Sequence, residues 1–161
     1  MTPTGMGAAE AAFQITQLLY RYAEHIDGGQ LEQAAAMFES ARIQTGAARP
    51  LDAQALLALW RRILILYPCG TPRTRHLITN PIVEVAGDGQ TASARSCYTV
   101  LQAVDGFGLQ VIASGRYLDR FACTEGVWHF TERDYRQMDF QGDLSRHLRV
   151  TVNPLPAEMR G

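Results

Sequence analysis

The spacing of apolar residues changes near Thr74, and this change restricts the fold more than any other feature of the sequence. Upstream, apolar residues recur every three or four positions in three segments, a spacing typical of amphipathic helices. Downstream, four longer segments have the composition and the bounding turns of strands. Helices followed by consecutive strands indicate the α+β class. We therefore expect three N-terminal helices packed in a strongly curved antiparallel sheet, which together form a cone-shaped α+β barrel.

The predicted helices cover residues 8–26, 31–38 and about 52–66. Gly28 and Gly29 end the first helix, because glycine commonly follows a helix C-terminus. Asp52 is a suitable N-cap for the third helix, since its carboxylate can accept a hydrogen bond from a free backbone N–H group. Apolar residues cover most of the circumference of the third helix, so we expect it to be well buried.

The predicted strands cover residues 76–86, 91–104, 109–124 and 127–140, and tight turns separate them. Pro81 indicates an edge position or a bulge, because proline has no N–H group for the ladder. Gly115 suits a bend in a coiled sheet. A sheet of such long strands that wraps around the helices would form an apolar pocket for a small molecule. Residues 1–7 and 142–161 are expected to be terminal arms of a single domain.

Composition narrows the range of functions. The chain has 161 residues, of which 47% are hydrophobic and 19% charged, as in a globular domain. Its net charge of −1 argues against a nucleic-acid partner, and no apolar run approaches the roughly 20 residues of a membrane span. All 15 basic residues are arginine, so no lysine can form a Schiff base. Cys69, Cys97 and Cys123 are widely spaced, which with no visible secretory signal indicates a cytoplasmic protein without disulfides.

Four stretches carry a resemblance to a known family: ITQLLYRYAEHIDGGQLEQAAAMF, TRHLITN, SGRYLDRFACTEGVWHFTER and GDLSRHL. Together they resemble the SnoaL-like proteins of the NTF2-like superfamily, over residues 8–148. The resemblance implies a curved antiparallel sheet and three helices that enclose a cavity, usually in an oligomer. It implies no single activity, because the superfamily contains dehydratases, isomerases, dehydrohalogenases, polyketide cyclases and non-catalytic dioxygenase β subunits.

The resemblance also implies an Asp–His pair, which scytalone dehydratase-like enzymes, the bile-acid dehydratase and the lindane dehydrochlorinase share. Asp27 in YAEHIDGG and His76 in TRHLITN match the two positions. Tyr22 matches a tyrosine of the bile-acid dehydratase type, and Arg133 matches an arginine of the dehydrochlorinase type. The chain has no lysine near the pair, no carboxylate at residues 96–100 and no evident second histidine. The substrates of those relatives are therefore not implied.

Such a pair can move a proton without a metal or a cofactor. A histidine titrates near pH 6.5, and a carboxylate on its other ring nitrogen fixes the tautomer and stabilises the imidazolium. His76 would remove a proton from carbon beside a carbonyl group, while Tyr22 or Tyr20 donates a hydrogen bond to the carbonyl oxygen. Tyr20, Tyr98 and Arg133 are the candidate substrate-binding residues.

Each candidate also has a structural interpretation. Asp27-Gly-Gly-Gln30 has the spacing of a capping box for the second helix. His76 alone resembles a partly exposed strand residue, Tyr22 a core residue, and Arg133 one half of a salt bridge at the sheet edge.

The neighbouring polar residues carry weaker signals. Arg75 would point to the face of the strand opposite His76, as a surface or interface charge. His25, His129 and His147 show no ligand spacing, so we expect no metal site and no cofactor.

Two hypotheses of function follow. The first is a cofactor-independent lyase or isomerase, of the dehydratase type, that acts on a small apolar and cyclic substrate. The second is a non-catalytic protein of the same fold that binds a small ligand or assembles an oligomer, as dioxygenase β subunits do. Under either hypothesis we expect a homo-oligomer, as a dimer or a trimer, and no membrane partner.

Overall fold

The computed structural model describes residues 7–152 and confirms the α+β class. Three helices precede the four long strands, as the spacing predicts. In chain order the elements are α1 (Ala8–Asp27), α2 (Leu31–Ala36), β1 (Arg42–Gln44), α3 (Ala53–Ile63), β2 (Thr74–Val85), β3 (Thr91–Val104), β4 (Phe107–Thr124) and β5 (Val127–Gln141).

The helices differ from the prediction in length and burial. α2 ends at Ala36, and α3 ends at Ile63, where Leu64 turns to an extended backbone. Only the face of α3 that carries Leu56, Leu57 and Trp60 is buried, so the expectation of a well-buried helix is wrong for its other faces. Asp52 caps α3 as predicted, since its carboxylate accepts a hydrogen bond of 2.8 Å from the backbone N–H of residue 55.

The five strands form one sheet in the order β1-β5-β4-β3-β2. Strands β2 to β5 are an antiparallel meander, whereas the short strand β1 pairs in parallel with β5. β1 was not predicted, because three residues are too few to show a spacing pattern. Pro81 lies in edge strand β2, within an irregularity between Thr79 and Ile82, so both readings of this proline are confirmed.

Gly115 allows the sheet to bend where β4 meets β5. The register shifts between Ser114 and Gly115, and a Cβ atom at Gly115 would lie 2.1 Å from the carbonyl oxygen of Gln137. Only glycine permits this approach, and a shift of register increases the local curvature of the strand. The concave face of the curved sheet packs on the helices, and Trp60 and Trp128 belong to the core as predicted.

The described part of the expected C-terminal arm packs back onto the body of the protein. Leu144 is buried, and Leu148 forms a bridge with Leu64 just after α3. The carbonyl oxygen of Arg146 accepts hydrogen bonds from Tyr67 and Gln102. We call residues 143–149 the C-terminal strap. The rest of the expected arms, residues 1–6 and 153–161, lies outside the described residues.

Among the described helices, none is both long and apolar enough to cross a bilayer. Cys69, Cys97 and Cys123 are free thiols.

Candidate functional site

A close backbone contact holds the end of α1 against the start of β2. Gly29 has a φ of 71°, and a Cβ atom there would lie 2.0 Å from the carbonyl oxygen of Gly70. A larger residue could not take this place, because the added carbon would overlap the Gly70 backbone. The Gly-Gly pair that ends the helix thus also brings Asp27, the last residue of α1, next to β2.

The Asp27 carboxylate accepts three hydrogen bonds from β2. The hydroxyl of Thr74 donates to Oδ1 at 2.8 Å, and the backbone N–H of His76 donates to Oδ2 at 2.7 Å. The third contact joins Nδ1 of His76 to Oδ1 at 2.6 Å. The capping-box interpretation is wrong, because Gln30 is the N-cap of α2 and no side chain caps that helix.

These contacts keep Asp27 ionised. Burial raises the pKa of the carboxyl group, but the hydrogen bonds and charge of His76 and the hydrogen bond of Thr74 outweigh it, so the pKa lies below its usual value. The C-terminus of a helix disfavours a negative charge, and the three hydrogen bonds from β2 offset that effect as well.

The His76 imidazole is oriented by Asp27 and is almost fully buried, with 7% of its side chain exposed. An ionised carboxylate can only accept, so Nδ1 carries the proton of this hydrogen bond and Nε2 of the neutral ring has a free lone pair. Within residues 7–152, Nε2 of His76 has no hydrogen-bond partner. A ring held in this tautomer can take a proton at Nε2.

The pair lines an open groove of about 1000 Å³ between α1, the start of β2 and the end of β3. Tyr20, a predicted substrate-binding residue, also lines it and is 43% exposed. The groove is more polar than the expected apolar pocket, because Arg21, Arg73 and Arg75 contribute to its walls.

Tyr22 lies in the core behind His76. Its ring is 3% exposed, and the centroids of the two rings are 6.5 Å apart. The hydroxyl of Tyr135 donates to that of Tyr22 at 2.9 Å, which leaves the Tyr22 proton for another acceptor. Burial raises the pKa of Tyr22 even though the nearby Arg133 lowers it, so the phenol stays protonated as a donor.

Arg133 and Tyr98 do not line the groove, although both are candidate substrate-binding residues. Arg133 is fully buried, and its guanidinium pairs with both oxygens of Asp119 at 2.7 Å, so the salt bridge lies in the core and not at the sheet edge. The guanidinium also stacks on the rings of Tyr22 and Tyr117 at 4.4 and 4.1 Å. Tyr98 is buried on the other side of Tyr117, with ring centroids 4.4 Å apart.

His147 is a residue that sequence reasoning missed. The C-terminal strap brings it near the pair: burial and the charge of His76 lower its pKa to about 4, against the opposing effect of Asp27. Its Nδ1 atom is buried and has no hydrogen-bond partner among the described residues. No local pattern signals this contact, because His147 and His76 belong to segments that are far apart in sequence. In the described part of the chain, no cluster of side chains suits a metal ion.

A family model, the SnoaL-like domain, matches residues 8–134. The chain belongs to the SnoaL-like family. A comparison with curated proteins found no match. The fold is that of NTF2-like proteins, as solved structures of this group show.

Three solved structures illustrate how varied the similar proteins are. An Asp→Asn variant of Rv3472, a protein of unknown function from Mycobacterium tuberculosis, is 27% identical, with a TM-score of 0.63 over 93% of this chain and 87% of that chain. From Novosphingobium aromaticivorans, a protein assigned as the β subunit of an aromatic-ring-hydroxylating dioxygenase is 20% identical, with a TM-score of 0.64 over 89% and 99%. A protein assigned as a scytalone dehydratase from the same organism is 18% identical, with a TM-score of 0.61 over 79% and 83%. At such identities the last two establish the fold alone.

Proposed function

We propose that this SnoaL-like protein is a cofactor-independent lyase or isomerase that takes a proton from carbon beside a carbonyl group. One observation carries the proposal: Asp27 holds Nδ1 of His76 at 2.6 Å, and Nε2 of the same ring has no partner among the described residues. A binding protein does not require an imidazole held in a single tautomer. The similarity to a protein assigned as a scytalone dehydratase agrees with this reaction class.

In the proposed reaction His76 acts first as a base and then as an acid. Nε2 takes the proton from carbon, and the C–H electron pair moves to form an enolate. Tyr20, which lines the groove, donates a hydrogen bond to the enolate oxygen, while Asp27 stabilises the imidazolium. The imidazolium then gives its proton to a departing β-hydroxyl, which leaves as water, or to a different carbon. The first outcome is a dehydration and the second an isomerisation.

The proposed substrate is small and largely apolar with a ring, and it carries a carbonyl group. Ile78 and Leu109 supply apolar surface within the groove that Tyr20 also lines. The groove volume of about 1000 Å³ lies at the upper end of the range for small-molecule sites, so it does not limit the substrate to a single ring.

Proton exchange tests the reaction without knowledge of the natural substrate. A panel of cyclic ketones that carry a β-hydroxyl group or a β,γ double bond is incubated with the protein in D2O. Proton NMR then follows the loss of α-proton signals and the appearance of the conjugated ketone. We expect His76→Gln and Asp27→Asn to slow the exchange of any accepted ketone by about 10²–10⁴-fold. Asp105→Asn is the matched control, because Asp105 lies exposed in the turn between β3 and β4. Equal exchange by His76→Gln and the unaltered protein would rule the proposal out.

A role in assembly is the second candidate, and the outer face of the sheet favours it. Leu77, Thr99, Ser114 and Phe140 lie opposite one another across β2, β3, β4 and β5. The end residues of this row are apolar and exposed, Leu77 by 42% and Phe140 by 73%. We propose that this face joins copies of the chain in a homo-oligomer, because exposed apolar patches commonly mark interfaces.

Light scattering after size-exclusion chromatography tests the assembly. The unaltered protein should elute as a dimer or trimer, and Phe140→Asp should shift it to the monomer, whereas Phe13→Asp on α1 should not. A monomeric unaltered protein at micromolar concentration would contradict the assembly. Loss of the oligomer without loss of proton exchange would separate this role from the reaction.

A further inference from the structure

Two buried polar atoms close to His76 have no hydrogen-bond partner among the described residues. They are Oε1 of Gln102 and Nδ1 of His147. Buried polar atoms are almost always paired in folded proteins, by protein groups, by water or by a ligand. The other two such atoms, in Ser96 and Arg133, belong to residues that neither line the groove nor lie in the C-terminal strap. Gln102 lines the groove together with Asp27 and His76, and His147 lies in the strap directly after Arg146, whose carbonyl oxygen accepts from Gln102.

The sheet and the C-terminal strap bring these atoms to the same end of the fold. Gln102 lies directly opposite Thr74, whose hydroxyl donates to Asp27, and His76 follows two residues later on the same face of β2. The strap is fixed by backbone hydrogen bonds, from Ile65 to the carbonyl of His147 and from Arg149 to the carbonyl of residue 63.

The orientation of the Gln102 amide is determined by its partners. Its Nε2 group donates to the carbonyl oxygens of Pro72 at 3.0 Å and of Arg146 at 2.9 Å. Both partners are acceptors, so the nitrogen must lie on that side and Oε1 must lie on the other. Oε1 can only accept, so whatever satisfies it has to donate a hydrogen bond.

His147 has the complementary capacity. Burial lowers the pKa of His147 to about 4, so its ring is neutral at neutral pH. A neutral imidazole has one nitrogen that donates and one that accepts. Of the common substrate groups, a carbonyl oxygen only accepts and cannot satisfy Gln102. A hydroxyl group both donates and accepts, so it can serve both residues at once.

We propose that Gln102 and His147 form a subsite, next to His76, that binds a hydroxyl group of the substrate. The hydroxyl donates to Oε1 of Gln102 and accepts from the His147 ring. The inference rests on the proposed function in one respect: if His76 is the base, a hydroxyl held beside it is placed to receive the proton and leave as water. The subsite thus favours dehydration of a hydroxylated substrate over isomerisation.

The subsite is tested by comparing the affinities of three 4-substituted cyclohexanones that the protein cannot dehydrate. 4-Hydroxycyclohexanone, 4-methoxycyclohexanone and 4-methylcyclohexanone carry no β-leaving group, so none of them can be dehydrated by removal of an α-proton. The hydroxyl probe can donate and accept, the methoxy probe can only accept, and the methyl probe can do neither. Titrations are followed by NMR of the histidine ring nitrogens in the 15N-labelled protein.

We expect the hydroxyl probe to bind about fivefold to tenfold more tightly than the other two, as one net hydrogen bond allows. The methoxy probe reports on Gln102, because it cannot donate to Oε1. His147→Phe keeps a ring of similar size and should abolish the preference, while His129→Phe on β5 should retain it. In the unaltered protein the hydroxyl probe should also shift the His147 ring signals, a measurement that does not depend on the folding of any variant.

Equal affinities for the three probes would overturn the subsite, and so would a preference that survives in His147→Phe. Unchanged His147 ring signals on addition of the hydroxyl probe would show that only water pairs with these atoms, which also overturns it. Failure of the proposed reaction would look different from failure of the subsite. The protein would then show no proton exchange with any ketone, while the preference for the hydroxyl probe would remain.

Discussion

The neutral His147 ring makes the stability of the protein depend on pH between about 6.5 and 4. In the folded protein, burial and the charge of His76 lower the pKa of His147 from 6.5 to about 4. The unfolded chain therefore binds a proton at His147 before the folded protein does. This contribution to the free energy of unfolding is complete above pH 6.5 and is lost as the pH falls through about 4.

The magnitude follows from the difference between the two pKa values. One unit corresponds to about 1.36 kcal/mol, so a difference of about 2.5 units gives about 3.4 kcal/mol at most. That is a large part of the roughly 5–15 kcal/mol by which a domain of this kind is stable. Other groups titrate in the same range, so only the difference between the protein and a His147 variant isolates the effect.

Urea unfolding at pH 7, 6, 5 and 4 measures this difference for the unaltered protein and for His147→Phe at one protein concentration. Between pH 7 and 4 the unaltered protein should lose about 3 kcal/mol more than the variant. His129→Phe is the control, because it makes the same exchange on β5 and leaves the C-terminal strap unaltered, so it should keep the loss that depends on His147. Parallel pH profiles for His147→Phe and the unaltered protein would refute the reasoning.

Three further predictions concern the core and the joint between α1 and β2. Arg133→Leu should destabilise the protein by about 3–5 kcal/mol in urea unfolding, because the Asp119 charge stays buried without its partner. The double variant that also carries Asp119→Leu should recover much of this loss. Gly29→Ala should destabilise the protein by more than 1 kcal/mol, since a φ of 71° is unfavourable for alanine and the added Cβ atom would overlap the Gly70 backbone. Gly87→Ala is the control and should be nearly neutral, because a Cβ atom there meets nothing within 4 Å. Because the pKa of Asp27 is lowered, its contribution to stability is complete above the usual value of 3.8 and is lost as the pH falls through the lower value of the folded protein. Asp27→Ala should therefore lose less stability than the unaltered protein at acidic pH in the same assay.

The sequence predicts the order of elements well because each long element carries its own signal. Pro81 and Gly115 mark the irregular points of the sheet, and the chemistry of each residue explains its place there. The end of α3 is different: the apolar run continues past Ile63, but Leu64 pairs with Leu148 of the C-terminal strap, and this tertiary pairing ends the helix. A contact between such distant segments has no signal in either one.

Arg133 shows how one irregularity defeats an argument from alternation. Phe130 points into the core, so strict alternation along β5 would place Arg133 on the outer face. The register between β4 and β5 shifts between Arg120 and Phe121, whose partners are Glu132 and Phe130. The extra residue on β5 reverses the alternation and turns Arg133 inward.

The residues of the site also differ in whether the sequence predicts them. Asp27 and His76 are predicted as a pair because they lie in two stretches that carry the family resemblance, whereas local spacing alone indicates a capping box for Asp27. Gln102 and His147 come to the site through the sheet and the strap. His147 lies in GDLSRHL, one of the stretches that carry the family resemblance, but no spacing in the sequence predicts its contact with the site.

Asp27 serves two purposes, and its two oxygens allow them to be separated. Oδ2 accepts from the backbone of His76 and joins α1 to β2, whereas Oδ1 contacts Thr74 and the His76 ring. In Asp27→Asn the amide oxygen can keep the backbone contact, while the NH2 group donates to the Thr74 hydroxyl and to Nδ1 of His76. The ring must then carry its proton on Nε2, so it can no longer act as a base. The variant therefore retains the joint and loses the free lone pair, whereas Asp27→Ala loses both, and comparison of the two distinguishes structural support from proton transfer.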